Sequence, residues 1–256
     1  MILYLIIRES KKMTDLNKIT AENCDILLTK EQKKYFKSML SNTSKMPSKS
    51  ISLSARICKI GSKLVNIVGS TCHNCYALKG MYNMPNVKNA MERRLDFFNS
   101  NYFIPIMIWL LSKFKLFRWF DSGDVQSVIM ALNILTVCDN TPNCKHWIPS
   151  RESKIWADVL KIRSLPSNVV LRISATMVDG KPSNSFKNTS TVNSSHDNFI
   201  GKECQAFRTF KNGNMLTVKE YNNLSRKDSI KKELGNCGNC RSCWNDEIIN
   251  VSYPIH

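Results

Sequence analysis

The chain has 256 residues, of which 43% are hydrophobic and 22% are charged. This length allows one large core or two small ones, and this composition excludes a chain that is disordered throughout. The 37 Lys and Arg residues outnumber the 20 Asp and Glu residues and give a formal charge of +17. That charge indicates either an acidic partner, such as nucleic acid or an acidic protein, or a scattered lysine-rich composition without one.

Two apolar stretches, at residues 1–7 and 101–117, raise the question of a membrane. The first is too short for the core of a signal peptide, and Pro105 and Lys113 interrupt the second before it reaches the roughly 20 apolar residues of a spanning helix. We therefore expect a cytoplasmic protein without a membrane partner. In that compartment the ten cysteines are expected to be metal ligands or buried thiols rather than disulfides.

Three segments are predicted along the chain. Residues 1–50 are predicted to form an N-terminal extension and basic surface arm, since residues 14–50 are rich in Lys, Ser, Thr and Asn, with a short helical signal at 29–40. Because a second methionine, Met13, follows them, residues 1–12 are expected to be an upstream extension that takes no part in the fold. Residues 51–246 are predicted to form a single domain, and residues 247–256 a C-terminal tail.

From residue 51 onward, β-branched runs alternate with segments of helical period. Strands are predicted at 63–75, 117–126, 145–152 and 167–180, and helices at 86–100, 127–138 and 153–164. This alternation predicts an α/β fold of repeated βα units that form a partial or TIM-like parallel barrel. After residue 180 the pattern weakens into a polar loop at 180–198, a short strand at 202–210, a partly helical stretch at 217–236 and a C-terminal metal-binding segment.

Polar side chains follow the predicted strands, and in parallel sheets ligand-binding groups collect at the carboxyl ends of strands. These residues are Cys72, Cys75, Asp121, Asp124, Ser150, Arg151, Glu152, Ser174 and Thr176. Asp124 and Asp121 are predicted to act as catalytic acid/base groups or to position a substrate amine, and Arg151 to bind an anion beside them. Alternatively, the two aspartates cap the helix that starts near Ser127.

Three cysteines lie at successive two-residue spacings in "GNCGNCRSCW". Cys237, Cys240 and Cys243 therefore resemble iron–sulfur ligation, in which such spacings precede a more distant fourth thiolate, whereas zinc more often uses paired knuckles. Cys204 is the predicted fourth ligand, because it belongs to a short strand in the same part of the chain. The predicted cofactor is an iron–sulfur cluster of the 4Fe–4S type, with zinc as the alternative. The four sulfurs are expected to converge on one point.

A second pair, Cys72 and Cys75, is also predicted to bind metal, either in the same site or separately. The remaining cysteines, Cys24, Cys58, Cys138 and Cys144, lack ligand spacing and are predicted to be buried free thiols. His146 is predicted to be structural.

Basic and aromatic residues alternate in "SKFKLFRWF" at 112–120. This pattern supports an alternative function, a zinc-stapled nucleic-acid-binding protein. The same segment is also typical of the start of a buried strand.

Five blocks occur in a specific order: "GSTCHNCYALKGMY" at 69–82, "NAMERRLDFF" at 89–98, "RWFDSGDVQS" at 118–127, "WIPSRE" at 147–152 and "CGNCRSCW" at 237–244. On these blocks the sequence resembles the gene product 88 family of phage and bacterial proteins over roughly residues 50–246. The resemblance implies a phage or mobile-element origin, the cytoplasm of a host cell and a cysteine-rich site, and leaves the reaction undetermined. A third possible function is a phage protein that binds a host protein and whose metal is purely structural.

A looser resemblance is to the radical S-adenosylmethionine enzymes. These enzymes place cluster cysteines after the first strand of a βα barrel and an aromatic residue beside the last cysteine, as Tyr76 follows Cys75 here.

Overall fold

The computed structural model describes residues 15–43, 45–225 and 229–255, so the predicted extension at 1–12 lies outside the described residues. The described chain forms an eight-stranded sheet with strand order β1-β2-β3-β4-β5-β6-β8-β7. Its strands are β1 (Ser41–Asn42), β2 (Lys49–Ile51), β3 (Leu116–Trp119), β4 (Lys145–Ser150), β5 (Val169–Val178), β6 (Asn188–Asn193), β7 (Lys202–Glu203) and β8 (Asn250–Pro254).

The sheet is mostly parallel. β1 pairs antiparallel with β2, and every other pair is parallel. The carboxyl ends of β2 to β8 therefore lie at one edge, here called the carboxyl edge. In the described residues the pairing runs from β1 to β7 without a closing pair, so the predicted barrel is not found. A barrel of that type needs eight strands each followed by a helix, and here the βα alternation extends only from β2 to β5.

The helices are α1 (Cys24–Leu27), α2 (Lys30–Lys37), α3 (Gly61–Leu64), α4 (Pro85–Phe98), α5 (Phe103–Leu111), α6 (Val128–Asp139), α7 (Ser153–Ile162), α8 (Val218–Asn223) and α9 (Ile230–Glu233). The predicted helices at 86–100, 127–138 and 153–164 are confirmed by α4, α6 and α7. Pro105 lies in the first turn of α5, where its missing N–H costs no hydrogen bond. Within the described residues, every helix is too short or too polar to cross a bilayer.

The main apolar core lies between the sheet and the long helices. Phe117 and Trp119 of β3 are completely buried there, together with Ile134 of α6 and Trp156 of α7. Because side chains alternate along a strand, these β3 residues project from one face of the sheet, here called the helix face.

The opposite face is covered by the segment that contains the C-terminal cysteines, and is here called the cysteine face. Arg118 pairs with Trp147 across β3 and β4, and the Trp147 ring packs edge-on against Trp244 with centroids 5.3 Å apart. The Trp244 indole N–H also donates to the Phe117 carbonyl at 2.9 Å. These contacts fix residues 242–244 against the middle of the sheet.

The predicted strand at 63–75 is wrong. Its β-branched residues follow the short helix α3 and form turns, in which Val68 is 79% exposed. Gly69 adopts a positive φ of 81°, and this turn leaves only Ser70 in a bridge, antiparallel to Met177 of β5. The β-branched run therefore carries a loop across the carboxyl edge instead of a strand through the sheet.

Two segments predicted to lie outside the domain contribute to its structure. Phe36 and Met39, from the predicted surface arm, are buried in the main core, and the same region supplies β1 and β2. β8 lies within the predicted tail at 247–256 and pairs with both β6 and β7. β6 itself falls in the predicted polar loop at 180–198.

Candidate functional site

Cys204 and Cys243 are held by consecutive residues of β8. The Cys204 N–H donates to the Ser252 carbonyl at 2.8 Å. The Cys243 sulfur lies 3.3 Å from the Tyr253 hydroxyl. The predicted fourth ligand therefore lies beside the triplet, although 38 positions separate Cys204 from Cys243 in the numbering.

Cys237 and Cys240 complete this group. The Cys240 N–H donates to the Cys237 carbonyl at 2.9 Å, and the Cys237 N–H donates to the Lys45 carbonyl at 3.0 Å. Burial, with smaller contributions from the nearby Cys243, Cys237 and Cys240, raises the pKa of Cys204 to about 12. We call these four residues the C-terminal cysteine group.

The four sulfurs do not converge on one point as the side chains stand. In residues 15–43, 45–225 and 229–255, no three His, Cys, Asp or Glu side chains are arranged to hold a metal ion. The Cys240 sulfur instead contacts the Ser242 hydroxyl at 3.2 Å. Four thiols are suitable ligands for a thiophilic metal, but their present geometry is not that of a metal-bound site. A change of χ1 rotamer would redirect a cysteine sulfur without moving the backbone.

Two arginines of the sheet lie beneath this group. Arg172 is fully buried and donates to the carbonyls of Ser242 and Asn245 at 2.9 and 2.7 Å. Burial raises the pKa of Cys243, whereas the Tyr253 hydroxyl and the charges of Arg172 and Arg118 lower it. The two guanidinium groups would offset negative charge if these thiols ionised to bind a metal.

Asp124 lies at the carboxyl edge with both carboxylate oxygens engaged. Oδ1 accepts from the Ser150 hydroxyl at 2.7 Å, and Oδ2 accepts from the Arg151 N–H at 2.7 Å. Burial raises the pKa of this carboxyl group to about 6, against the opposing effect of its hydrogen bonds. The capping alternative is wrong, because the Ser127 hydroxyl caps α6 by accepting from Met130 N–H at 3.1 Å. Asp124 instead joins the ends of β3 and β4.

Asp121 and Gly123 belong to the same loop after β3. The Asp121 carboxylate accepts from the Ser50 hydroxyl at 2.8 Å, and its carbonyl accepts from the Tyr76 hydroxyl. Gly123 has a φ of 74°, and a Cβ there would lie 2.5 Å from the Leu53 carbonyl oxygen. A glycine is therefore required here because the loop passes close to the backbone of Leu53, just after β2.

The ends of β3, β4 and β5 meet at one edge as predicted, with a loop instead of a strand end at 72–75. Two cavities of the protein lie away from Asp124 and Arg151. One, of about 550 Å³, is at the amino ends of β3 and β4, beside Leu116 and Lys145. The other, of about 240 Å³, is at the carboxyl ends of β6 and β8, beside Asn193 and Pro254. The predicted cleft over Asp124 thus stays a prediction.

Cys72 and Cys75 lie at the carboxyl edge in a separate group from the C-terminal cysteines. Their partner is Cys58, which lies within electrostatic range of both. Sequence reasoning assigned Cys58 to the free thiols because it stands fourteen positions before Cys72, with no ligand spacing. The one signal that could have linked Cys58 to Cys72 and Cys75 is its position shortly after β2, at the edge where the other strands end.

The aromatic residues of "SKFKLFRWF" are mainly core residues. Phe117 and Trp119 are completely buried, which confirms the interpretation as a buried strand. Arg118 lies over the Trp147 ring, 4.5 Å from its centroid. This segment therefore offers no stacking platform for bases, and a polyanionic partner stays a prediction from net charge alone.

These features define an α/β protein whose mostly parallel sheet carries apolar helices on one face and a cysteine-rich segment on the other. The chain belongs to the gene product 88 family, whose model matches residues 6–246. No curated protein and no solved structure matches it. The looser resemblance to radical S-adenosylmethionine enzymes stays a prediction.

Proposed function

We propose that the protein is a metal-binding member of the gene product 88 family in which Cys204, Cys237, Cys240 and Cys243 bind one centre on the cysteine face. A four-thiolate site without an open position is typical of a structural metal or of a complete cluster. In this proposal the centre fastens residues 202–246 to the sheet.

The observation that carries the proposal is the anchoring of Cys204 and Cys243 to adjacent residues of β8, Ser252 and Tyr253. Chain segments far apart in sequence thus bring four thiols together over two cationic guanidinium groups. Free cysteines need not collect in this way for packing alone, since each behaves as a small apolar residue.

An iron–sulfur cluster of the 4Fe–4S type is favoured over zinc, because two successive two-residue spacings and a distant fourth cysteine match cluster ligation. Arg151 and the two aspartates stay the predicted residues for any reaction at the carboxyl edge. Within this proposal Asp124 positions the Arg151 backbone, because its oxygens already accept hydrogen bonds from Ser150 and Arg151.

The test is metal analysis of protein purified without oxygen, comparing the wild type with Cys240→Ser. Cys240 is exposed, so the substitution removes a ligand with little effect on packing. We expect the wild type to be brown, to contain iron and inorganic sulfide, and to absorb broadly toward the blue edge of the visible range. Cys240→Ser should lose this centre.

Cys24→Ser is the matched control. Cys24 is completely buried outside both cysteine groups, and its sulfur donates to the Thr20 carbonyl at 3.1 Å, a bond that a serine hydroxyl preserves. It should retain the wild-type metal content. Stoichiometric zinc without iron would select the zinc alternative, and full metal retention in Cys240→Ser would contradict the proposal.

A further inference from the structure

Three cysteines from two separate loops lie close together at the carboxyl edge. A Cβ built on Gly61 would lie 3.7 Å from the Cys58 sulfur and 3.7 Å from the Cys72 sulfur. Cys75 joins them through a turn in which its N–H donates to the Cys72 carbonyl at 3.0 Å. The absent side chain of Gly61 therefore leaves the space into which two of the sulfurs project.

Both loops are fastened to the end of β4. Glu152 Oε1 accepts from the Ile60 N–H at 2.9 Å, next to the Cys58 loop. Arg151 Nε donates to the Thr71 hydroxyl at 3.0 Å, next to Cys72. Adjacent residues of one strand end thus fix the spacing between Cys58 and the Cys72–Cys75 turn.

The surroundings of these thiols favour a cation. Burial, with smaller contributions from Asp124, Cys72, Cys75 and Glu152, raises the pKa of Cys58 to about 12. Cys72 is only 7% exposed, and burial raises its pKa whereas Arg151 lowers it. Two carboxylic acids and three thiols therefore share this space with one guanidinium group. A bound metal cation would compensate the negative charge of the carboxylates and of the ionised thiols.

We propose that Cys58, Cys72 and Cys75 form a second thiolate metal site, separate from the C-terminal cysteine group, which takes zinc or an iron–sulfur cluster. As in the other group, the sulfurs must change rotamer to reach a common metal. Three protein thiolates leave a tetrahedral metal or a cluster iron with one position open, and an open position distinguishes reactive centres from closed structural ones.

The location supports a reactive role. Ligands of parallel α/β sheets bind outside the carboxyl ends of the strands, and this site lies above the ends of β2, β4 and β5. Neither Nη atom of Arg151 has a hydrogen-bond partner among the described residues. The open position is therefore suited to an anionic ligand, which the Arg151 guanidinium would help to bind.

The experiment loads the full-length protein with Co²⁺ under anaerobic, reducing conditions and follows the thiolate-to-cobalt charge-transfer bands. We expect about two equivalents per chain in the wild type, and about one in each of Cys58→Ser, Cys75→Ser and Cys240→Ser, because each substitution removes a ligand from one site only. Cys24→Ser should bind as the wild type does. Iron and zinc analysis of the untreated proteins then distinguishes the two metal classes.

Azide tests the open position. It should shift the cobalt bands of the wild type and of Cys240→Ser, where the three-cysteine site is intact, and leave those of Cys58→Ser unchanged. Arg151→Gln should still bind cobalt, because Glu152 continues to hold the Cys58 loop, and should require more azide for the same shift. Circular dichroism establishes that each variant is folded, and Cys75→Ser, at a partly exposed position, replaces Cys58→Ser if the latter unfolds.

The outcomes separate this inference from the proposed function. If Cys58→Ser and Cys75→Ser both retain the full cobalt equivalents, or if Cys58 and Cys72 form a disulfide that excludes cobalt, the second site is refuted while the C-terminal group is untouched. If only Cys240→Ser retains them, the proposed function fails and the three-cysteine site stands.

Discussion

Trp156 on the helix face and Arg172 on the cysteine face are both completely buried, yet they are stabilised in different ways. Trp156 packs among apolar residues of the main core. Arg172 donates instead to main-chain carbonyls, including those of Ser242, Asn245 and Ile248. The helix face is therefore stabilised mainly by apolar burial, whereas the cysteine face depends more on polar contacts and, in our proposal, on metal.

The largest expected effect is on the helix face. Trp156→Ala should lower the free energy of unfolding by about 3–5 kcal/mol, because it leaves a large cavity in the apolar core. Denaturant unfolding measures the change. Ile129→Ala, at a position of α6 that is 71% exposed, is the control and should change stability by at most about 0.5 kcal/mol. Equal effects from the two substitutions would contradict the placement of the core.

The next effect is acid destabilisation through His146, also on the helix face. Burial lowers the pKa of His146 to about 4, below the value of about 6.5 for an unfolded histidine. Trp119 Nε1 donates to Nδ1 at 3.3 Å, so the neutral ring carries its proton on Nε2, 2.9 Å from the Thr141 hydroxyl. The stability from this neutral ring is complete above pH 6.5 and is lost as the pH falls toward 4, by about 3 kcal/mol in total.

Unfolding of the wild type and of His146→Gln between pH 7 and 4 measures this contribution. Carboxyl groups titrate alike in both proteins, so only the difference in pH dependence reports on His146. We expect the wild type to lose stability more steeply below about pH 6.5. Parallel curves would show that the ring is protonated at no cost in the folded state.

A smaller effect is expected at the carboxyl edge. Asp124→Asn should cost about 2 kcal/mol, because an amide nitrogen replaces one acceptor and leaves a buried donor unpaired. Asp121→Asn is the matched control, since among the described residues its carboxylate accepts only from Ser50, and an amide oxygen preserves that bond. Denaturant unfolding at pH 7.5 compares the two. A larger loss in Asp121→Asn would mean that Asp121, and not Asp124, joins the strand ends.

The smallest effect on global stability is expected for Cys240→Ser on the cysteine face. The helix face should unfold within about 0.5 kcal/mol of the wild type, while the segment after residue 200 should become sensitive to protease because its metal is lost. Limited proteolysis followed by mass spectrometry locates the cleavage. A variant with an intact C-terminal segment would show that Arg172 and Trp244 hold this face without metal.

The long helices were predictable because their own sequences determine them. The apolar residues of α4, α6 and α7 recur at helical spacing, so local pattern and tertiary burial agree. β6 was missed because its buried face is polar. Thr189 and Thr191 are 1% exposed, and their hydroxyls bond to Asn250 at 2.8 Å and Ser252 at 2.9 Å. Hydrophobic period cannot detect a strand that is buried through such hydrogen bonds.

The two cysteine groups illustrate the same limit at longer range. The spacing of Cys237, Cys240 and Cys243 was enough to predict that they belong to one site, and Cys204 was added because it lies in the same part of the chain. Cys58 had no such signal, because its link to Cys72 runs through Glu152 and Arg151 at the end of β4. Contacts that depend on how strands are ordered in the sheet are not encoded in local spacing.

The place of β8 between β6 and β7 sets an order of events on the ribosome. Lys202 and Glu203 are synthesised well before residues 250–254, the only described strand with which they pair. Until β8 emerges, Cys204 has neither the Ser252 carbonyl nor the neighbouring Tyr253 to hold it. The part of the chain that contains β2 to β5 and the helices between them can fold earlier, during translation, because domains fold from the N-terminus onward. In our proposal, metal therefore binds the C-terminal cysteine group only after residues 250–254 have been synthesised.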